Sequence, residues 1–129
     1  MATLFPPAHS RPAVVLVVDD QRAVREGLAR LLSLPGRRDV HLAASGAEAL
    51  ESARLDPPDV VVLDVDLAGD DGLALLPALR ASAQVVILSS HCDPATRARA
   101  LALGAHAFVG KEEPAATLLR QVAWCERAR

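Results

Sequence analysis

Three uninterrupted apolar runs constrain this chain more than any other feature: Ala13–Val18 (AVVLVV), the centre of Asp59–Asp64 (DVVVLD) and Val85–Leu88 (VVIL). Runs without alternation suit strands buried on both faces, as in a parallel sheet covered by helices. Between them the apolar period becomes helical. Val24, Leu28, Leu31 and Leu32 share one face over Gln21–Leu34, with Pro35-Gly36 as the stop. Ser45 and Glu48 predict a capping box for a helix over Gly46–Leu55, and Leu73, Leu76 and Leu79 mark a third helix. Asp93-Pro94 starts a fourth that Gly104 ends, and Pro114 opens a fifth on which Leu118, Val122 and Cys125 face the same way. Weaker strands are expected at Val40–Ala43 and Ala105–Val109. Five strands alternating with five helices predict an α/β fold, a doubly wound parallel sheet with right-handed crossovers.

Composition narrows the partners. With 129 residues, 51% of them hydrophobic, the chain can bury one proper core. Residues 1–12 carry three prolines and read as a flexible lead-in, leaving 13–127 as one domain. Fourteen Lys and Arg against 16 Asp and Glu leave a formal charge of −2, without the basic footprint of direct nucleic-acid binding. No apolar run approaches the roughly 20 residues of a membrane span. Cys92 and Cys125 have neither metal-type spacing nor the number for a disulfide scaffold, so a reduced, cytoplasmic setting is expected. The histidines His9, His41, His91 and His106 fall on different elements, and no metal set is expected among them.

In such sheets ligands bind outside the carboxyl ends of the strands. Those ends carry Asp19-Asp20, Asp64 with Asp66, Ser89-Ser90 and Gly110-Lys111. Singly, each has an ordinary explanation: a turn-forming aspartate, a solvated serine, a surface lysine. Jointly they place acids, a hydroxyl and a lysine on one rim, while the interiors of the three strong runs carry no polar group. Clustered carboxylates repel, and a divalent cation with oxygen ligands, Mg²⁺ above all, relieves that repulsion. A carboxylate beside Mg²⁺, with a hydroxyl and a lysine to meet phosphoryl oxygens, matches phosphoryl transfer to an aspartate.

With these residues in place, the chain resembles the receiver domain of two-component response regulators over residues 13–127. The family's paired acids match Asp19-Asp20 and its phosphoacceptor matches Asp64, with the family glycine eight residues on at Gly72. Its switch Ser/Thr matches Ser89, its lysine Lys111, and the aromatic three residues earlier Phe108. The segment Gly104–Lys111 looks most like receivers that precede a helix-turn-helix output domain. Three positions depart from the pattern: Ala68 and Glu112 stand where the family often has proline, and Asp66 is acidic where other residues are common.

The resemblance implies a flavodoxin-like sheet of strand order 2-1-3-4-5 and a Mg²⁺-dependent switch rather than a conventional enzyme. Asp20 would bind Mg²⁺ directly, Asp19 through a water, and Asp66 through its backbone carbonyl, alongside Asp64. A sensor histidine kinase or phosphotransfer protein would supply the phosphoryl group. Ser89 and Lys111 would bind its oxygens, and Asp66 and His91 would flank it and set its lifetime. Phe108 would follow Ser89 and change the face formed by the fourth helix, fifth strand and fifth helix, promoting homodimer formation or partner binding there and regulating transcription. Asp64-Val65-Asp66 also resembles the nucleophile motif of haloacid-dehalogenase-type phosphatases, but their acidic pair follows the lysine, whereas Asp19-Asp20 precedes it here. A pseudo-receiver that binds partners without phosphorylation stays open, because intact residues do not prove their use.

Overall fold

Each apolar run forms a strand of one parallel sheet. The structure, a computed structural model, describes residues 11–33, 38–67 and 69–129. The lead-in up to residue 10, with His9, the Pro35-Gly36 stop and the Ala68 departure lie outside the described residues. The strands are β1 (Ala13–Val18), β2 (Arg38–Ala43), β3 (Val60–Asp64), β4 (Gln84–Ser89) and β5 (Ala107–Gly110), all parallel in the order β2-β1-β3-β4-β5. The helices are α1 (Arg22–Ser33), α2 (Gly46–Leu55), α3 (Leu76–Arg80), α4 (Pro94–Ala102) and α5 (Ala115–Ala128). This is the doubly wound α/β fold anticipated from the alternation, in the flavodoxin-like strand order that the resemblance implies.

The period-two geometry of strands sorts the runs between two cores. Leu16, Val18, Val61, Leu63, Val85, Ile87 and Phe108 pack with Ala49 of α2, Leu76 and Leu79 of α3 and Ala100 of α4. Val15, Val17, Val60, Val62, Val86, Leu88 and Val109 pack with Leu32 of α1 and Leu118, Val122 and Cys125 of α5. Every residue of β3 is buried. Full burial of each such side chain contributes about 1.5–3 kcal/mol, so the central strands stay put while their carboxyl-end loops carry the polar groups.

Several local expectations shift. β2 begins at Arg38 rather than Val40, because the Arg38 guanidinium forks onto Glu126 of α5 at 2.7 and 2.8 Å and also donates to the Leu32 carbonyl at 3.1 Å. β5 starts at Ala107, since Gly104 at φ 103° turns the chain out of α4 and the Ala105 N–H still bonds back to the Ala100 carbonyl. The third helix is split: Gly72–Leu75 forms a 3₁₀ turn and α3 starts only at Leu76. Pro77 explains the break, because it has no N–H for a carbonyl four residues earlier and fits only a first turn. The α2 cap works as expected on one side, Ser45 Oγ accepting from the Glu48 N–H at 3.2 Å, but the Glu48 carboxylate reaches the N–H of Ala44 rather than Ser45.

Candidate functional site

The register brings the carboxyl ends of four strands level: Val18 pairs with Leu63, Asp64 with Leu88, and Ser89 with Gly110. Asp19, Asp64 and Lys111 therefore meet over the sheet. Asp19 is 1% exposed and Asp64 2%. The Lys111 ammonium lies 3.4 Å from Asp19 Oδ2 and 3.3 Å from Asp64 Oδ2. Carboxylate oxygens of Asp19, Asp20 and Asp64 lie within 4.8 Å of one another.

Local bonds hold these groups. Asp19 Oδ1 accepts from the Gln21 N–H at 2.9 Å, and Arg25 donates to the Asp19 carbonyl at 2.8 Å. Asp64 Oδ1 accepts from the Asp66 N–H at 3.1 Å. Gly72 closes the loop by donating its N–H to the Val65 carbonyl at 3.0 Å, and a Cβ there would overlap the Asp64 carbonyl oxygen. Glycine at this position is a steric requirement of the Asp64 loop. Between Val65 and Gly72 a two-residue ribbon pairs Asp66–Leu67 with Asp70–Asp71 and turns through Gly69 at φ 77°. The sequence signalled only a polar loop here.

Burial, reinforced by the Asp19 charge, pushes the Asp64 carboxyl above the usual carboxylate range, although the Asp66 N–H and Lys111 pull the other way. Burial opposes the charge on Lys111, but Asp64 and Asp19 together hold its ammonium above the ordinary lysine value. Asp19 Oδ2 is buried without a hydrogen-bond partner among the described residues, and Lys111 meets it as a neighbouring charge. A deprived carboxylate oxygen within a three-carboxylate set suits a hard divalent cation such as Mg²⁺.

The remaining predicted residues surround this centre. Ser89 is fully buried, and its hydroxyl donates to the His91 carbonyl at 3.0 Å while accepting from the His91 N–H at 2.9 Å. Asp66 and His91 are exposed and paired with each other, Nδ1 to Oδ2 at 2.9 Å, with the Ser90 hydroxyl 3.3 Å from the same Asp66 oxygen. Phe108 is packed in the core, and Arg97 of α4 reaches its carbonyl at 3.5 Å. Glu112 occupies the position after Lys111 and receives the Cys92 thiol at 3.4 Å. Burial and the Glu112 charge raise the Cys92 thiol above its usual range, which disfavours the reactive thiolate.

Contacts between distant parts of the chain escape a reading of the sequence. Arg99 of α4 bridges to Asp71 at 3.0 Å, while the other Asp71 oxygen caps the 3₁₀ turn through the Leu73 N–H. α4, with Ala100 as its one buried residue, is thus tied to the loop after Asp64. At the opposite, amino end of the sheet, Asp59 accepts from Arg11 at 2.8 and 2.9 Å, from the Val14 N–H at 2.8 Å and from Arg129 at 3.1 Å. Neither pairing shows in local spacing. On the outer face of α5, Trp124 is 47% exposed and stacks on His106, ring centroids 4.3 Å apart.

Comparison with known proteins agrees with this geometry. The sequence pattern of the response regulator receiver domain matches residues 15–123. The chain is 36% identical over 119 residues to the probable transcriptional regulatory protein NarL of Mycobacterium tuberculosis, an alignment covering 89% of this chain and 55% of that protein. The chain therefore spans about half the length of that curated relative. The solved signal receiver domain of the putative response regulator NarL from the same organism superimposes with a TM-score of 0.82 at 34% identity, covering 92% of this chain and 99% of that one. A two-component response regulator of the LuxR family from Aurantimonas sp. gives a TM-score of 0.85 at 30% identity, covering 92% of this chain and 87% of that one. On sequence and fold together, the chain belongs to the response regulator receiver domain family.

Proposed function

We propose that this chain is a phosphorylatable switch in which Asp64 accepts a phosphoryl group from a phosphohistidine donor. The observation that carries this reading is the buried Asp64 carboxylate, raised in basicity and lying 3.3 Å from the Lys111 ammonium. An Asp64 oxygen attacks phosphorus in line; the new O–P bond forms as the N–P bond breaks, and the imidazole leaves with the electron pair. Lys111, already between Asp64 and Asp19, meets the negative charge on the phosphoryl oxygens. Mg²⁺ would be held by Asp20 and Asp64, with Asp19 through a water and the Asp66 carbonyl, and when bound would offset the charge of carboxylates and phosphoryl oxygens. Ser89 must redirect the O–H that it donates to the His91 carbonyl before it can donate to a phosphoryl oxygen, and the bond it accepts from the His91 N–H resists that movement. Phe108 follows into the space vacated, and the α4-β5-α5 face changes, with α4 free to shift because Ala100 is its one buried residue.

In this reading residues 13–127 are the receiver unit and 1–12 its lead-in. A sensor histidine kinase or phosphotransfer protein is the donor, homodimer formation on the α4-β5-α5 face is the response, and transcription is the process controlled. Among the described residues no helix is long and apolar enough to cross a membrane, and a cytoplasmic setting fits the free Cys92 and Cys125. The test is incubation of the purified chain with acetyl phosphate and Mg²⁺. One acid-labile phosphoryl group should be added, lost in Asp64→Ala and retained in Glu51→Gln, a surface carboxylate paired with Arg54. Equal labelling of both variants, or none of the wild type, would overturn the proposal.

A further inference from the structure

The four histidines, scattered in sequence, gave no metal set, yet the fold brings one of them between two carboxylates far from Asp64. Asp39 and His41 lie two residues apart on β2, so they share a face of that edge strand. Asp56, the residue that ends α2, comes up beside them. His41 Nε2 lies 3.1 Å from Asp39 Oδ2 and 3.2 Å from Asp56 Oδ2, and one donor atom from each residue lies within 4.8 Å of the other two.

Charge attraction accounts for the two close contacts, but it leaves the nitrogen without an aligned acceptor. His41 Nε2 is itself shut off from solvent and has no hydrogen-bond partner among the described residues, so neither carboxylate is aligned with its one N–H direction. The nitrogen sits close to two oxygens and points at neither. A metal ion shared by the three residues would need only a slight widening of this spacing. Bonds of about 2.0–2.2 Å in a tetrahedral arrangement place neighbouring ligand atoms about 3.3–3.6 Å apart, slightly wider than the 3.1 and 3.2 Å found here. The charges agree too, since two carboxylates and a neutral imidazole balance a doubly charged cation. An imidazole donor selects against Mg²⁺ and Ca²⁺, which prefer all-oxygen cages, and favours a borderline transition cation. His41 and Asp56 also line a groove of about 620 Å³ beside α2, which gives an ion a path from solvent.

We propose that Asp39, His41 and Asp56 form a second cation site, distinct from the Asp19–Asp20–Asp64 centre, that takes Zn²⁺ or a similar transition-metal ion. Three protein ligands leave a coordination position for water or for a donor from a partner. The bound ion ties the end of α2 to the sheet edge. The site does not depend on phosphorylation of Asp64.

The experiment is titration of Zn²⁺ into the full chain with excess Mg²⁺ present to fill the acidic centre, read by a competing chromophoric chelator and by the histidine ring resonances. One equivalent should bind, with the His41 ring shifting most. Affinity should fall at least about tenfold in His41→Ala and in the nearly isosteric Asp56→Asn, each checked for native fold by circular dichroism. Wild-type affinity in both variants, no zinc binding, or shifts confined to the other histidines would each overturn the proposal.

Discussion

Asp59 should act as an acid-sensitive clasp, and replacing it with asparagine measures its worth. Its carboxylate is 10% exposed and holds two guanidiniums, Arg11 and Arg129, as well as the Val14 N–H that opens β1. The Arg11 hydrogen bonds above all, with the Val14 N–H and Arg129 against the cost of burial, bring its pKa down to about 2. A folded pKa below the unfolded value means stability that is present above the unfolded pKa and lost as pH falls through the folded one. From 3.8 to about 2, the shift corresponds to about 2.4 kcal/mol at neutral pH. Arg11 is 61% exposed, so solvent and salt screen its share; about 1–2 kcal/mol is the expected net. Urea unfolding should show Asp59→Asn less stable than wild type by that amount at neutral pH. The gap should hold down to about pH 5 and fall to about half by pH 3. A gap that stays constant to about pH 3, or no gap at neutral pH, would refute the clasp.

Three further outcomes are expected. Gly72→Ala should cost about 1–3 kcal/mol in urea unfolding and slow labelling of Asp64, since its Cβ would push on the Asp64 carbonyl; unchanged stability and labelling would count against the steric account. Asp66→Asn, which removes the charge of the 2.9 Å pair beside Asp64, and His91→Ala, which breaks it, should change the dephosphorylation rate while leaving Asp64 reactive, as followed by loss of label over time. A beryllofluoride phosphoryl mimic with Mg²⁺ should shift amides across α4, β5 and α5 and promote self-association weakened by Trp124→Ala; shifts confined to the strand-end loops would route the signal elsewhere.

How far the sequence reveals this molecule follows from the range of the interactions involved. Strands β1, β3 and β4 are legible because burial on both faces demands unbroken Val and Leu runs. The rim is legible for a related reason: the polar residue that ends each run must sit where the strand leaves the core. Arg38 and Asp59 were not legible as anchors, because their partners Glu126, Arg11 and Arg129 lie far along the chain and no local period marks them. The split of the third helix could have been found, since Pro77 rules out a continuous α-helix from Leu73. The resting bonds of Ser89 could not, because a serine after VVIL reads the same whichever backbone group its hydroxyl meets. His41 shows the limit most clearly, since only the docking of α2 against β2 brings Asp56 to it.

The doubly engaged Ser89 hydroxyl bears on signalling fidelity. Two hydrogen bonds to His91 hold the proposed switch in its resting position, and each is worth about 0.5–1.5 kcal/mol net. Together they bias the unmodified protein by roughly 5- to 150-fold against spontaneous activation. In the proposed switch, background output before phosphorylation would then depend on a serine and one stretch of backbone. Exchanging Ser89 for alanine would remove that bias together with the hydroxyl proposed to meet the phosphoryl oxygen.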